Sequence, residues 1–181
     1  MCILMATRAH PDYELVLISN RDEFFARKTH DTCWNQKDFI LHPYDMSLNT
    51  PNFGTWLGVN RNGRLGTILN LRLENDPRVK QCSCLKSRGK IPLSYLSSRE
   101  SKFKEWDTFQ KFEERYPDLN KTGDFNFFYG SCIDGVYRII DSLGHTFAVL
   151  TNDDCHSDEA YLVVSNDVFH VEQCNAEKNK E

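Results

Sequence analysis

Through the first and last parts of the chain, apolar residues come in short runs closed off by turn residues, which is a strand pattern; helical spacing is confined to the middle. Leu4 to Ala9 and Glu14 to Ser19 read as two strands joined by a short His10-Pro11-Asp12 turn. Residues 24 to 52 read as irregular and polar, anchored by Trp34, Phe39 and Ile40. The clearest hairpin follows, with Thr55 to Val59, a turn over Asn60-Arg61-Asn62-Gly63, and then Leu65 to Leu71. Its Asn-Gly pair supplies the positive φ angles that a tight turn demands. Asn75 to Lys86 is a charged connection broken by Pro77.

Ile91 to Leu96 begins a helix, with Pro92 in its first turn. From Lys102 to Tyr116, the residues Phe103, Trp106, Phe109 and Phe112 recur at helical spacing and form a one-sided aromatic stripe, the mark of a core-facing helix. Phe125 to Tyr129, Val136 to Asp141 after an Asp134-Gly135 turn, and Tyr161 to Val164 are strands, and the tail from Gln173 is polar and frayed. The sum is an α+β chain with a largely antiparallel sheet covered by helices, organised as a single domain over residues 1–181.

Composition narrows the function classes. A net charge of -4 speaks against a general binder of nucleic acid or anionic membranes. No apolar run approaches the length of a membrane span, and the N-terminus has the character of neither a signal peptide nor a transit peptide, so a cytoplasmic protein is expected. The 7 cysteines, at positions 2, 33, 82, 84, 132, 155 and 174, are odd in number and read as reduced thiols. Neither Cys82-Ser83-Cys84 nor Cys155-His156 has zinc-site spacing, and no haem-attachment motif, phosphate loop or nucleophile elbow is present; no metal or cofactor is expected.

Cys2 carries the candidate chemistry. Removal of Met1 would leave a thiol and a free α-amine on one residue, and an α-amine that titrates near neutrality can accept the proton of a thiol. If the first two strands form a hairpin, Cys2 faces the end of the second, where Asn20-Arg21-Asp22-Glu23-Phe24 stands. A guanidinium beside a thiol favours the thiolate, and a neighbouring carboxylate can orient the amine or hold the arginine. Asn70 and Asn166 each close an apolar strand, and an amide NH2 is a suitable donor for an oxyanion. Cys2, Arg21, Asp22, Asn70 and Asn166 are therefore the candidate catalytic residues.

Met1-Cys2-Ile3, Asn20-Arg21-Asp22-Glu23-Phe24, Gly54-Thr55-Trp56-Leu57-Gly58, Ser87-Arg88-Gly89 and Val164-Ser165-Asn166 together resemble the signatures of the NRDE family, that of transport and Golgi organisation protein 2. This family is in turn similar to N-terminal nucleophile amidohydrolases. That likeness implies an αββα sandwich, with Cys2 as nucleophile, Arg21 beside it, Asp22 or Glu23 contacting the α-amine, Asn70 at an oxyanion position and Asn166 facing the substrate. The family continues further than Glu181, with an arginine-bearing helix, more strands and a second helix layer. The resemblance therefore implies an incomplete sandwich with an open edge and exposed apolar surface. For function it implies a cytoplasmic protein associated with the Golgi or mitochondria. Its role would lie in Golgi organisation and protein secretion or in lipid or haem handling, through a small-molecule ligand or secretory-pathway factors, with little or no catalysis. The alternative is hydrolysis of linear amide bonds through Cys2.

Overall fold

The computed structural model describes residues 2–46, 54–71, 86–97, 109–150 and 161–167. Its strands are β1 (Ile3–Thr7), β2 (Val16–Asn20), β3 (Thr29–Asn35), β4 (Ile40–Asp45), β5 (Leu57–Asn60), β6 (Arg64–Asn70), β7 (Phe125–Ser131), β8 (Val136–Asp141), β9 (Thr146–Leu150) and β10 (Tyr161–Val164). Among the described residues, two α-helices, α1 (Lys90–Ser97) and α2 (Phe109–Arg115), and a short 3-10 helix (Leu119–Lys121) stand between β6 and β7. The strands form two antiparallel sheets, a small one in the order β10-β1-β2 and a 7-stranded meander running from β3 to β9. The chain is thus α+β, mostly sheet, and no described helix is long and apolar enough to cross a membrane.

Alternation along β7 builds the layers. Phe125, Phe127 and Tyr129 point to one face, where Ile91, Tyr95 and Leu96 of α1 and Phe112 of α2 cover them. Phe128 points to the other face, together with Leu65, Leu69, Tyr137, Ile139 and Leu150. There it meets Leu4 and Ala6 of β1 and Leu162 and Val164 of β10. Helices, large sheet and small sheet therefore make three layers around two cores, and all seven residues of β7 are buried. The outward face of the small sheet is different: Met5, Ile18, Tyr161 and Val163 are exposed there, with Met5 opposite both Ile18 and Val163.

The first hairpin, the 57–70 hairpin, α1, β7, β8 and β10 stand where the periodicity puts them. Gly63 has φ 73°, but Asn62 is not left-handed. The turn is held instead by Asn60, whose side-chain oxygen accepts from the amides of Asn62 and Arg64 at 2.9 and 3.0 Å, while its NH2 donates to the Leu96 carbonyl at 2.8 Å. Residues 24–52 depart from expectation, since β3 and β4 lie there. β3 is an edge strand with a bulge between His30 and Cys33 and mostly exposed polar residues, so it carries no apolar alternation to read. Of the three expected anchors only Ile40 is buried; Trp34 and Phe39 are about half exposed, with the Arg61 guanidinium 5.5 and 4.6 Å from their ring centres. β9 is likewise additional to the strands expected from sequence. Phe112 lands in the core as the aromatic stripe demands, while Phe103 and Trp106 lie outside the described residues, as do Cys82, Cys84 and the Cys155-His156 pair.

Candidate functional site

Hairpin register brings the first two motifs together. Ile3 pairs with Asn20, and the ladder runs on to Thr7 opposite Val16, so the next step outward sets Cys2 against Arg21. Beyond this strand end a cleft of about 270 Å3 opens between the small sheet, the end of β6 and the segment 86–89. Cys2, Arg21, Asp22 and Asn70 all line it, together with Trp56 and Arg88.

Asn166 lies just past β10 and is buried, and it does not line the cleft. Its Oδ1 accepts the Cys2 backbone N–H at 2.5 Å, and its Nδ2 donates to the Asn70 carbonyl at 2.5 Å. One amide therefore ties together the ends of β1, β6 and β10, and its donors and acceptor face main chain. The Cys2 backbone N–H thus meets the Asn166 amide, and Asp22 and Glu23 line the same cleft as Cys2. The segment is fixed in turn by Asn126 of β7, whose NH2 donates to the carbonyls of Ser165 at 3.2 Å and Asp167 at 2.8 Å. The Asn70 side chain is exposed in the cleft and, among the described residues, hydrogen-bonds to nothing.

Arg21 is held by two carboxylates and an aromatic ring. Its Nη2 lies 2.9 Å from Asp45 and 3.5 Å from Glu23, and its guanidinium stands 4.4 Å from the centre of the Trp56 ring. Arg27 binds the same two carboxylates, each at 2.6 Å. Two arginines and two acids thus close a neutral network along one wall. The Phe24 backbone N–H, followed by Arg27 and Arg21, holds the Glu23 carboxyl below the usual carboxylate range against the opposing pull of burial. Asp22 sits on the solvent side of the cleft.

Two glycines meet beside this network, where Gly54 pairs with Asp45. A Cβ on Gly54 would fall 2.9 Å from the Gly89 Cα, and one on Gly89 would fall 2.8 Å from the Gly54 Cα. The Thr55 N–H donates to the Gly89 carbonyl at 3.1 Å across this contact. Gly54-Thr55-Trp56 and Ser87-Arg88-Gly89 are therefore one structural unit, which carries Trp56 and Arg88 into the cleft. Sequence reasoning did not single out Arg27, Asp45, Asn126 or Arg88 for the site. Asp45 sat in a stretch that read as irregular, and Arg88 was visible only as part of a motif.

As a chemical arrangement, the cleft offers a thiol, an amide donor with spare capacity and a wall of guanidinium groups. A small polar ligand is what such a surface can hold.

The sequence model of the transport and Golgi organisation 2 family matches residues 1–180. An uncharacterised protein of Saccharomyces cerevisiae is 55% identical over 174 residues, covering 94% of this chain and 54% of that protein. The transport and Golgi organization protein 2 of Drosophila melanogaster is 32% identical over 120 residues, covering 64% of this chain and 39% of its own length. The Mus musculus homologue is 33% identical over 88 residues, covering 48% of this chain and 29% of its own length. The chain thus spans about half, or less, of the curated relatives it matches. It belongs to the transport and Golgi organisation 2 family.

Proposed function

We propose that this protein serves Golgi organisation and protein secretion from the cytosol by binding a small ligand in the Cys2 cleft, with turnover no part of its main task. One observation carries the reading. In a chain of this family, the residues of four separated motifs line one cleft, and Asn166, from a fifth, braces it from behind. The names of the Drosophila and mouse relatives supply the cellular setting. Lipid or haem handling is the form of ligand traffic that the family resemblance suggests, and an αββα sandwich in the longer relatives is the matching structural proposal.

Ser87 lies at the rim of the cleft, so Ser87→Trp would fill it from the side without touching Cys2. In cells deprived of this protein, secretion of a reporter and Golgi morphology should be restored by the parent chain and by Cys2→Ser, and not by Ser87→Trp. Restoration by Ser87→Trp would sink the ligand-cleft reading. Failure of Cys2→Ser, together with an intact mass lacking Met1, would transfer the function to amide-bond hydrolysis through the Cys2 thiol.

A further inference from the structure

The cations on the cleft wall are not alike. Arg21 and Arg27 are closed onto Asp45 and Glu23, and Lys86 onto Asp118 at 2.5 Å. Arg88 donates Nη1 to the Asp124 main-chain carbonyl at 3.0 Å, and among the described residues it forms no ion pair. The Asp124 side chain accepts instead from the Ser142 hydroxyl at 2.9 Å. The guanidinium is half-buried. Its pKa is lowered, chiefly by burial; the Asp124 charge opposes the shift, Arg27 adds to it, and Cys2 lies near enough to oppose it as well. An arginine keeps its charge under such pressure, so the energetic strain is relieved by gaining an anion rather than by losing a proton. The glycine contact between residues 54 and 89 fixes the backbone that presents it.

We propose, on the reading that the Cys2 cleft holds a ligand, that Arg88 is the anion receptor of that cleft. The ligand is a small molecule carrying a carboxylate or phosphate group, seated on the guanidinium edge not taken by Asp124 and within reach of Cys2. Arginine's planar fork suits both groups, since two parallel N–H donors meet two oxygens.

Two alkylating reagents of nearly equal size test this on the full chain. Iodoacetate carries a carboxylate and iodoacetamide does not; with either, the thiolate sulfur displaces iodide. The ratio of their rates at Cys2, divided by the same ratio at Cys33, cancels any effect on thiol ionisation and reads the anion preference alone. The expected ratio is about tenfold in favour of iodoacetate, the size of one charge-assisted hydrogen bond. It should fall to the Cys33 baseline in Arg88→Gln and recover in Arg88→Lys. In the parent chain, slowing of the iodoacetate reaction by propionate assigns a carboxylate ligand, and slowing by inorganic phosphate at matched ionic strength assigns a phosphate. A parent ratio at the Cys33 baseline, a ratio unchanged in Arg88→Gln, or competition by neither anion overturns the proposal. If Arg88→Gln does not fold, the parent ratio, the Arg88→Lys ratio and the competition still decide. Iodoacetamide labelling of Cys2 without an anion preference would remove the receptor and leave the ligand cleft standing, whereas restored secretion by Ser87→Trp would remove the cleft itself.

Discussion

The two sheets of this molecule are buried to different degrees, and the cleft lies at their seam. The large sheet is covered on both faces, by helices on one side and the small sheet on the other, and β7 within it has no exposed residue. Among the described residues, the small sheet is covered on one face only. Its inward Leu4, Ala6, Leu162 and Val164 hold it to the large sheet, while its strand ends are tied by polar contacts through Asn166. Stability is therefore concentrated in the large sheet, and the residues that shape the cleft are held by a few hydrogen bonds and ion pairs. Substitutions should separate along the same line.

The largest effect belongs to Phe127→Ala. Phe127 is fully buried, stacks on Tyr129 at 5.0 Å, and packs against Tyr95 and Phe112 at 6.0 Å each. Removing the ring leaves a cavity between the helices and the sheet that this framework has little freedom to close. A loss of about 3–5 kcal/mol is expected, read from the midpoint of urea unfolding. A loss below about 1 kcal/mol would mean that the helix-covered core is not where the stability lies.

Asn166 comes next. Asn166→Ala removes the partners of the Cys2 N–H and the Asn70 carbonyl, at an expected cost of about 2 kcal/mol. Asn166→Asp sharpens the point. It keeps an acceptor for Cys2 but turns a carboxylate oxygen toward the Asn70 carbonyl, so at neutral pH it should be no more stable than the alanine variant. In acid the substituted carboxyl protonates and can donate again, and its deficit should shrink as pH falls. A constant deficit between pH 7 and pH 4, about the range over which such a group titrates, would show that the Asn70 contact contributes nothing.

The same division explains what could be read from the sequence. Hairpins, α1 and β7 were legible because burial imposes period: Phe125, Phe127 and Tyr129 alternate, and Ile3 to Asn20 fold back in the register that sets Cys2 by Arg21. Edge strands carry no such demand, which is why β3, polar and exposed, read as loop. The candidate site was legible as a set of motifs and not as a network. Cys2, Arg21, Asp22 and Asn70 line one cleft. That Asn166 is turned to main chain, or that Asp45 joins Arg21 to Arg27, depends on contacts between segments distant in sequence, which local spacing does not encode. Two glycines of separate motifs in contact, Gly54 and Gly89, are a further case: each motif was visible, and their meeting was not.

The smallest effect tests the outward face of the small sheet. Ile18 is 60% exposed and lies opposite Met5, whose other neighbour is Val163. Threonine keeps the β-branched shape that suits a strand and replaces only apolar surface that water already reaches. Ile18→Thr should therefore change stability by no more than about 0.5 kcal/mol. Leu162→Thr, on the inward face of β10, should cost about 2 kcal/mol or more, because it buries a hydroxyl against Leu4 and Val164 in the core between the sheets. Urea unfolding of the two variants side by side measures the difference between the faces directly. Equal losses would mean that the outward face is packed against something in solution, and the contrast between the two sheets would then describe the large sheet alone.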